Sequence, residues 1–439
     1  MPDEPTTYDP AAEVVELCRD LIRIDTTNTG GDDGQGERKA AEHVAALLDE
    51  VGIQSTLHES RPGRTTLVAR ISEGAPDAGP PLLVHGHLDV GPAAAADWQV
   101  DPFAGEIRDG YLWGRGAVDM KDFDAMALSV IRARARAGAM PRRPLVLALT
   151  ADEEAGGHLG AQWLVDNHPD EIADCTEAVG EVGGFSTTVR GKRFYLIEAA
   201  EKGMAWLQLT ARGTAGHGSM INCDNAVTQL AGAVARIGAH EWPVRLTPTM
   251  EVLLASVAEI VGTEATPDNA ESLVEEFGGA ARMLGAVLRN TTNPTMLAAG
   301  YKLNVIPGEA HAHLDGRFLP GYEDEFWDTL AHLCGDHVTW EKVSHQQPWE
   351  MPYEGRLVDA MTQSLLAEDD DAVVAPYLMS GGTDAKHFGR LGMRTYGFAP
   401  LRLPADLDFT ALFHGVDERV PTDALEFGAR VFDRFLDLA

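Results

Sequence analysis

Two short stretches carry side chains whose types and spacing suit metal and proton chemistry. The first, "TADEEAGG" (150–157), sets Asp152, Glu153 and Glu154 directly behind the apolar run "RPLVLALT" (143–150). Ionised carboxylates at the end of a buried strand are costly unless something positive meets them. Divalent cations are often the largest positive charges in such a place. Adjacent side chains point in different directions, so Glu153 and Glu154 do not both ligate one ion. One binds metal, and the other faces an activated water as general base. A solvated acidic turn before Gly156-Gly157 is the plainer reading of the same acids. The second stretch, "LLVHGHLDVG" (82–91), puts His87 and Asp89 two apart in a strand-like run, hence on one face. A histidine backed by a carboxylate is how a metal ligand is held in one tautomer. A core histidine satisfied by its neighbour has the same spacing, and His85, which shares the parity, reads that way.

Three further residues extend the set. Asp119 in "LWGRGAVDMKDFDA" (112–125) follows a glycine-rich turn and precedes a helical stretch, the kind of position where open α/β sheets bind ligands. By itself it reads equally as a surface-loop aspartate. Glu181 in "VGEVGGFS" (179–186) stands at a strand end, and His414 in "LFHGVDERV" (412–420) in a loop. With His87 and Glu154 these make two imidazoles and three carboxylates. Two zinc ions sharing one aspartate would each have a histidine, an aspartate and a glutamate, an open coordination of the catalytic type.

The elements that must position these groups follow from periodicity. Asp9-Pro10 predicts an N-cap and first helical residue, opening a helix with Val14, Leu17, Cys18, Leu21 and Ile22 on one face. A second helix runs from about Glu37 to a stop at Gly52. Apolar runs at 65–71, 81–87 and 144–150 alternate with helical patterns at 122–138 and 159–168, which predicts an α/β domain with a largely parallel sheet. The idiom changes near Lys202. Period-two runs at 204–213 and 304–318 enclose a helix at 224–239 and a polar helical insert at 268–289, an α+β pattern with helices on one face of an open sheet. After Val343 the α/β idiom returns, with "GRLVDAMTQSLLA" as helix and "RTYGFAP" as strand. The expected layout is a catalytic domain, residues 1–201 and 344–439, interrupted by an inserted domain at 202–343. The stretches "PDAGPP" and "GPAAAA" read as loops.

Composition limits the partners. A net charge of -33, from 35 basic and 68 acidic residues, argues against nucleic acid or an anionic membrane surface. Four scattered cysteines with no C-x-x-C pair fit reduced thiols. The N-terminal stretch has no basic and apolar leader pattern, and no apolar run reaches membrane-spanning length. The expectation is a soluble, cytoplasmic protein.

Nine motifs occur in one order along the chain: "GHLDV", "GRGAVDMK", "DEEAGG", "GEVGG", "GTAGHGS", "NVIPG", "DGRFLP", "GGTDA" and "HGVDER". In this the sequence resembles the dinuclear zinc hydrolases that include acetylornithine deacetylase, succinyl-diaminopimelate desuccinylase, aminoacylase and carboxypeptidase G. The resemblance implies a zinc-exopeptidase-like catalytic domain with an inserted ferredoxin-like lid and dimerisation domain. It implies two zinc ions, with cobalt as a possible substitute: His87 and Glu181 on one, Glu154 and His414 on the other, and Asp119 bridging. Asp89 would orient His87, Glu153 would be the general base, and a cis peptide would follow Asp119. His217 would reach across a homodimer into the partner's site and stabilise the tetrahedral oxyanion. Arg317 and Asn304 would hold a substrate carboxylate, with Gly382 and Thr383 of "SGGTDAKHF" (380–388) at its other end. A plain turn into a helix at Asp384 is the alternative for that loop, an ordinary turn histidine is the alternative for His217, and a surface ion pair is the alternative for Arg317. The implied reaction is cleavage of an amide C–N bond beside a free carboxylate, in a small peptide or an N-acyl amino acid, by water activated between the metals. One departure stands out: Glu181-Val182-Gly183-Gly184 replaces the Glu-Gly-Gly of many relatives. A binding protein that keeps the fold without catalysis is the rival from another class. It predicts loss of a ligand or of the base, and none is missing.

Overall fold

The computed structural model describes residues 8–31, 34–72, 78–141 and 143–439. The first two residues of "PDAGPP" and the first seven of the N-terminal stretch lie outside these. A mixed ten-stranded sheet forms the body of the fold. Its centre is parallel: Leu145–Thr150, Leu82–His87, Glu177–Gly180 and Arg394–Gly397 lie side by side in that order. Leu82–His87 and Leu145–Thr150 are buried at every position, as strands covered by helices on both faces must be. The sheet is mixed, as expected, with its antiparallel pairings at the flanks. Thr56–Arg61 and Arg64–Ser72 form a hairpin that joins the centre antiparallel, and Lys192–Glu201 pairs antiparallel with Arg394–Gly397, Phe185–Val189 and Trp349–Glu350. The hairpin turn is Pro62-Gly63, with Gly63 at φ 88°, a conformation that glycine adopts without strain.

The helix Lys121–Ala137 lies across the sheet, buried along most of its length between Val14–Ile22 and Thr422–Leu438. Gly138 ends it in a left-handed cap. The first helix starts later than Asp9-Pro10 predicts. Asp9 instead accepts a bond from the Ala11 amide, capping an irregular turn, and the helix is Val14–Ile22 with the expected residues buried.

A second, four-stranded sheet is wholly antiparallel, in the order Thr291–Ala299, Glu309–Phe318, Gly203–Arg212, Val338–Gln346. Burial alternates along Glu309–Phe318, and the apolar face packs under Ala226–Gly238 and Glu323–Cys334. The stretch between these strands behaves differently. Thr247 caps the helix Pro248–Val261, which lies against the strand Val373–Met379 of the large sheet. Residues 268–289 do not form one polar helix. They make two short ones, Ala270–Glu275 and Ala281–Gly285, anchored by Leu273, Val274, Phe277, Leu284, Val287 and Leu288 in the core of the large sheet.

Candidate metal centre

Parallel strands end on the same side, so the residues just past His87, Thr150 and Gly180 converge. His87 Nδ1 donates to the Asp89 main-chain carbonyl at 2.9 Å, which leaves Nε2 as an acceptor. Yet Nε2 sits among acceptors: Asp119 Oδ1 at 3.1 Å, Glu181 Oε2 at 3.3 Å and Glu153 Oε2 at 3.9 Å. His414 Nε2 lies 3.2 Å from Asp119 Oδ2 and 2.9 Å from Glu154 Oε2. The two oxygens of Asp119 thus face two different imidazoles. Glu154 Oε1 is buried and, among the described residues, has no hydrogen-bond partner. Lone pairs aimed at one another inside a protein need a cation between them. The donor set, two imidazoles and four carboxylates in two groups, fits two divalent ions.

The electrostatics carry the same message. Hydrogen bonds that Asp119 and Glu154 accept from it push His414 up to about 10. Burial opposes charge on His87, but Glu181 and the surrounding carboxylates outweigh it and hold its pKa well above the ordinary range. Burial, reinforced by Glu181, pushes Glu153 well above the usual carboxylate range. Burial likewise raises Glu154. Without a metal the site would have to take up protons to relieve its own repulsion.

The turn between Glu153 and Ala155 separates the paired acids as adjacency requires: Glu153 joins His87 and Glu181, Glu154 joins Asp119 and His414. Asp89 holds this turn. Its carboxylate accepts from the Glu153 and Glu154 amides, both at 3.1 Å, and from Asn28 Nδ2 at 2.9 Å. That carboxylate is 3.6 Å from His87 Nδ1, so the direct bond to the imidazole comes from the Asp89 carbonyl instead. Asn28 is a site neighbour that periodicity did not single out.

A cis peptide joins Asp119 to Met120. In the Glu181 turn, Val182 takes φ 51° and Gly183 has no room for a side chain, since a Cβ there would stand 2.1 Å from the Gly397 carbonyl oxygen. A β-branched residue in the left-handed region is strained. The extra residue of the "GEVGG" motif is accommodated in this way, and the Val182 side chain lines the cavity above the ligands.

Two more residues were passed over although they lie inside the quoted motifs. Arg115 of "GRGAVDMK" and Glu418 of "HGVDER" form a 2.6 Å ion pair, almost fully buried. Glu418 also accepts from the Val118 amide at 2.8 Å, and Arg115 donates to the His414 carbonyl at 3.3 Å. The pair locks the loop bearing Asp119 to the loop bearing His414. Glu418→Ala leaves a buried guanidinium uncompensated and is expected to destabilise the fold by about 3–5 kcal/mol, read from urea unfolding. A loss under about 1 kcal/mol, the size expected of an exposed pair, would rule out this bracing.

The ligands open into a cavity of about 650 Å³, with Gly382 and Thr383 on its wall. Thr383 also accepts from the Ala385 amide, so the loop both lines the cavity and enters the helix Ala385–Gly389. His217, Asn304 and Arg317 are not part of the lining. His217 is exposed, with Nδ1 at 2.8 Å from Ser219 Oγ, and Gly218 donates to the Asn304 carbonyl at 2.9 Å. Arg317 forks onto Asp315 at 2.7 and 3.2 Å. His85 packs on Phe388, where burial lowers it to about 3, and it takes no part in the two metal-binding groups.

A model described as peptidase family M20/M25/M40 matches residues 83–438. The N-fatty-acyl-amino acid synthase/hydrolase PM20D1 of Xenopus tropicalis is 26% identical, over 94% of this chain and 83% of that protein. Aminoacylase-1 of Sus scrofa is 26% identical over 96% and 94%. Among solved structures, the M20 family metallo-carboxypeptidase Sso-CP2 of Sulfolobus solfataricus superposes with a TM-score of 0.71 at 17% identity, covering 97% of this chain and 99% of that one. The YXEP protein of Bacillus subtilis, described as a dinuclear metal binding peptidase, gives 0.61 at 11% identity, covering 98% of both. Among the described residues, no helix is long and apolar enough to cross a membrane.

Proposed function

The chain belongs to peptidase family M20/M25/M40 and is a metal-dependent peptidase or amidohydrolase, and from that premise we propose that it hydrolyses the amide bond of N-acyl amino acids or small peptides beside a free carboxylate, using two zinc ions. The supporting observation is Asp119, whose oxygens lie 3.1 and 3.2 Å from two separate histidine nitrogens. His87 and Glu181 would hold one ion, Glu154 and His414 the other. Bound there, zinc polarises the scissile carbonyl and lowers the pKa of water to about 7.

The remaining steps belong to the side chains. Glu153, buried beside Glu181 and 3.9 Å from His87 Nε2, takes the proton of the attacking water. It then returns that proton to the nitrogen of the leaving amine, so one carboxylate serves as base and as acid. Asp89, through two amides, keeps Glu153 and Glu154 aimed into their separate groups. The partner subunit's His217 would donate to the oxyanion and Gly382 would meet the substrate carboxylate; Arg317 and Asn304, outside the cavity lining, and Thr383, whose amide and hydroxyl donate to Glu201, would have to be brought to it on binding. A homodimer is favoured by the surface around His217: Met220, Ile221, Tyr301 and Leu303 are exposed, as are Met296 and Leu297 on the outer strand Thr291–Ala299.

Stripping the purified protein with a chelator should abolish turnover of N-acyl amino acids, and two equivalents of zinc per chain should restore it, with cobalt as a substitute. Elemental analysis alongside kcat measures both. Full turnover in protein free of transition metal rules out the mechanism.

A further inference from the structure

The insert at 268–289 builds one wall of the cavity. Arg282, Met283 and Ala286 face it from the insert, opposite no other basic group among the described residues except the ligand His414. The insert is no loose loop, since Leu284, Val287 and Leu288 are buried in the core of the large sheet. Val182, Met379 and Phe413 add apolar lining to the same cavity. The other carboxylate on this side, Asp408, accepts from the Thr410 hydroxyl at 3.2 Å.

Arg282 is unusual for this chain. Every other described arginine has a hydrogen bond, an ion pair or an aromatic face, in a protein with 68 acidic residues to choose from. Arg282 has none among the described residues, is exposed, and lines the cavity that holds Glu153. A guanidinium is suited to fork a carboxylate, and an unpaired one on a cavity wall offers an anion its counter-charge.

We infer that the cavity wall formed by Arg282, Met283, Met379 and Phe413 is an acyl-side subsite for a group with an apolar stem of a few methylenes and a carboxylate at its far end. It rests on the proposed amide hydrolysis, in which the leaving amino acid's own carboxylate is met elsewhere. The substrate class is an N-acyl amino acid with a dicarboxylic acyl group, or a dipeptide with an acidic first residue.

The test compares two substrates that differ only at the acyl end, an N-adipoyl and an N-hexanoyl derivative of one amino acid, in the zinc-loaded wild type, R282Q and R282K. The wild type should prefer the adipoyl substrate. R282Q should lose about 10- to 100-fold in kcat/KM for it, mainly through KM, and keep its rate on the hexanoyl substrate. R282K should retain part of the preference. Wild-type turnover of both substrates without preference, or an R282Q effect equal on both, overturns the subsite and leaves the hydrolase reading intact. If neither is hydrolysed by the wild type, the hydrolase reading fails and the subsite with it.

Discussion

Glu153→Gln should lower kcat by about a thousand-fold or more while leaving two metals bound and KM within a few-fold, since a positioned general base contributes about 10²–10⁴. The substitution keeps size and removes only the ability to accept a proton. It is informative because the neighbouring Glu154→Gln should behave differently. Glu154 lies 2.9 Å from His414 Nε2, whereas the nearest imidazole nitrogen to Glu153 stands at 3.9 Å. Loss of a ligand should appear first as loss of one metal, and only then as loss of rate. Steady-state kinetics with metal analysis on both variants separates these outcomes. Near-normal turnover by Glu153→Gln would remove it as the base, and metal loss by that variant would make it a ligand.

Much of the candidate metal centre could be read from the chain because its residues stand at the ends of apolar runs or beside a glycine-rich turn, and strand ends in a parallel sheet must meet. That logic reached His87, Glu153, Glu154 and Glu181 directly. Asp119, after a glycine-rich turn, and His414 sit in loops, where periodicity says nothing; their residue types completed the donor set, and the order of the motifs then supported them. The role of Asp89 was half legible. Two-residue spacing puts it beside His87, but its carboxylate turns to the amides at 153 and 154, a contact between segments that spacing does not encode. The antiparallel flank was written in Pro62-Gly63, a turn between two alternating runs. Helix signals at Thr247, Pro248 and Gly262 were likewise present. The insert was obscured for a physical reason. Asp268, Asn269, Glu271, Glu275 and Glu276 make it look solvated, while Leu273, Val274 and Phe277 anchor it inside. Nothing local says that Arg282 then lines the cavity, since this depends on packing against the strand Val373–Met379.

Mixing Glu153→Ala protein with His217→Ala protein should restore activity that neither has alone, provided the two exchange subunits. The argument starts from where His217 lies. It is exposed on the two-residue strand Gly216–His217, paired with Val305–Ile306, and is absent from the lining of the cavity that holds Glu153. A histidine that stabilises an oxyanion must lie within hydrogen-bond distance of it. For His217 that places it in the other subunit's cavity. In a twofold dimer each site then draws Glu153 from one chain and His217 from the other. A hybrid has one site lacking both groups and one with both intact. With random exchange at equal concentrations, about one quarter of wild-type activity should return, since half the dimers are hybrids and each carries one complete site. Leu303→Asp, placed in the exposed apolar surface beside His217, should block the rescue by preventing association. Hybrids shown by mass to have formed, yet inactive, would put His217 in the service of its own chain or of none.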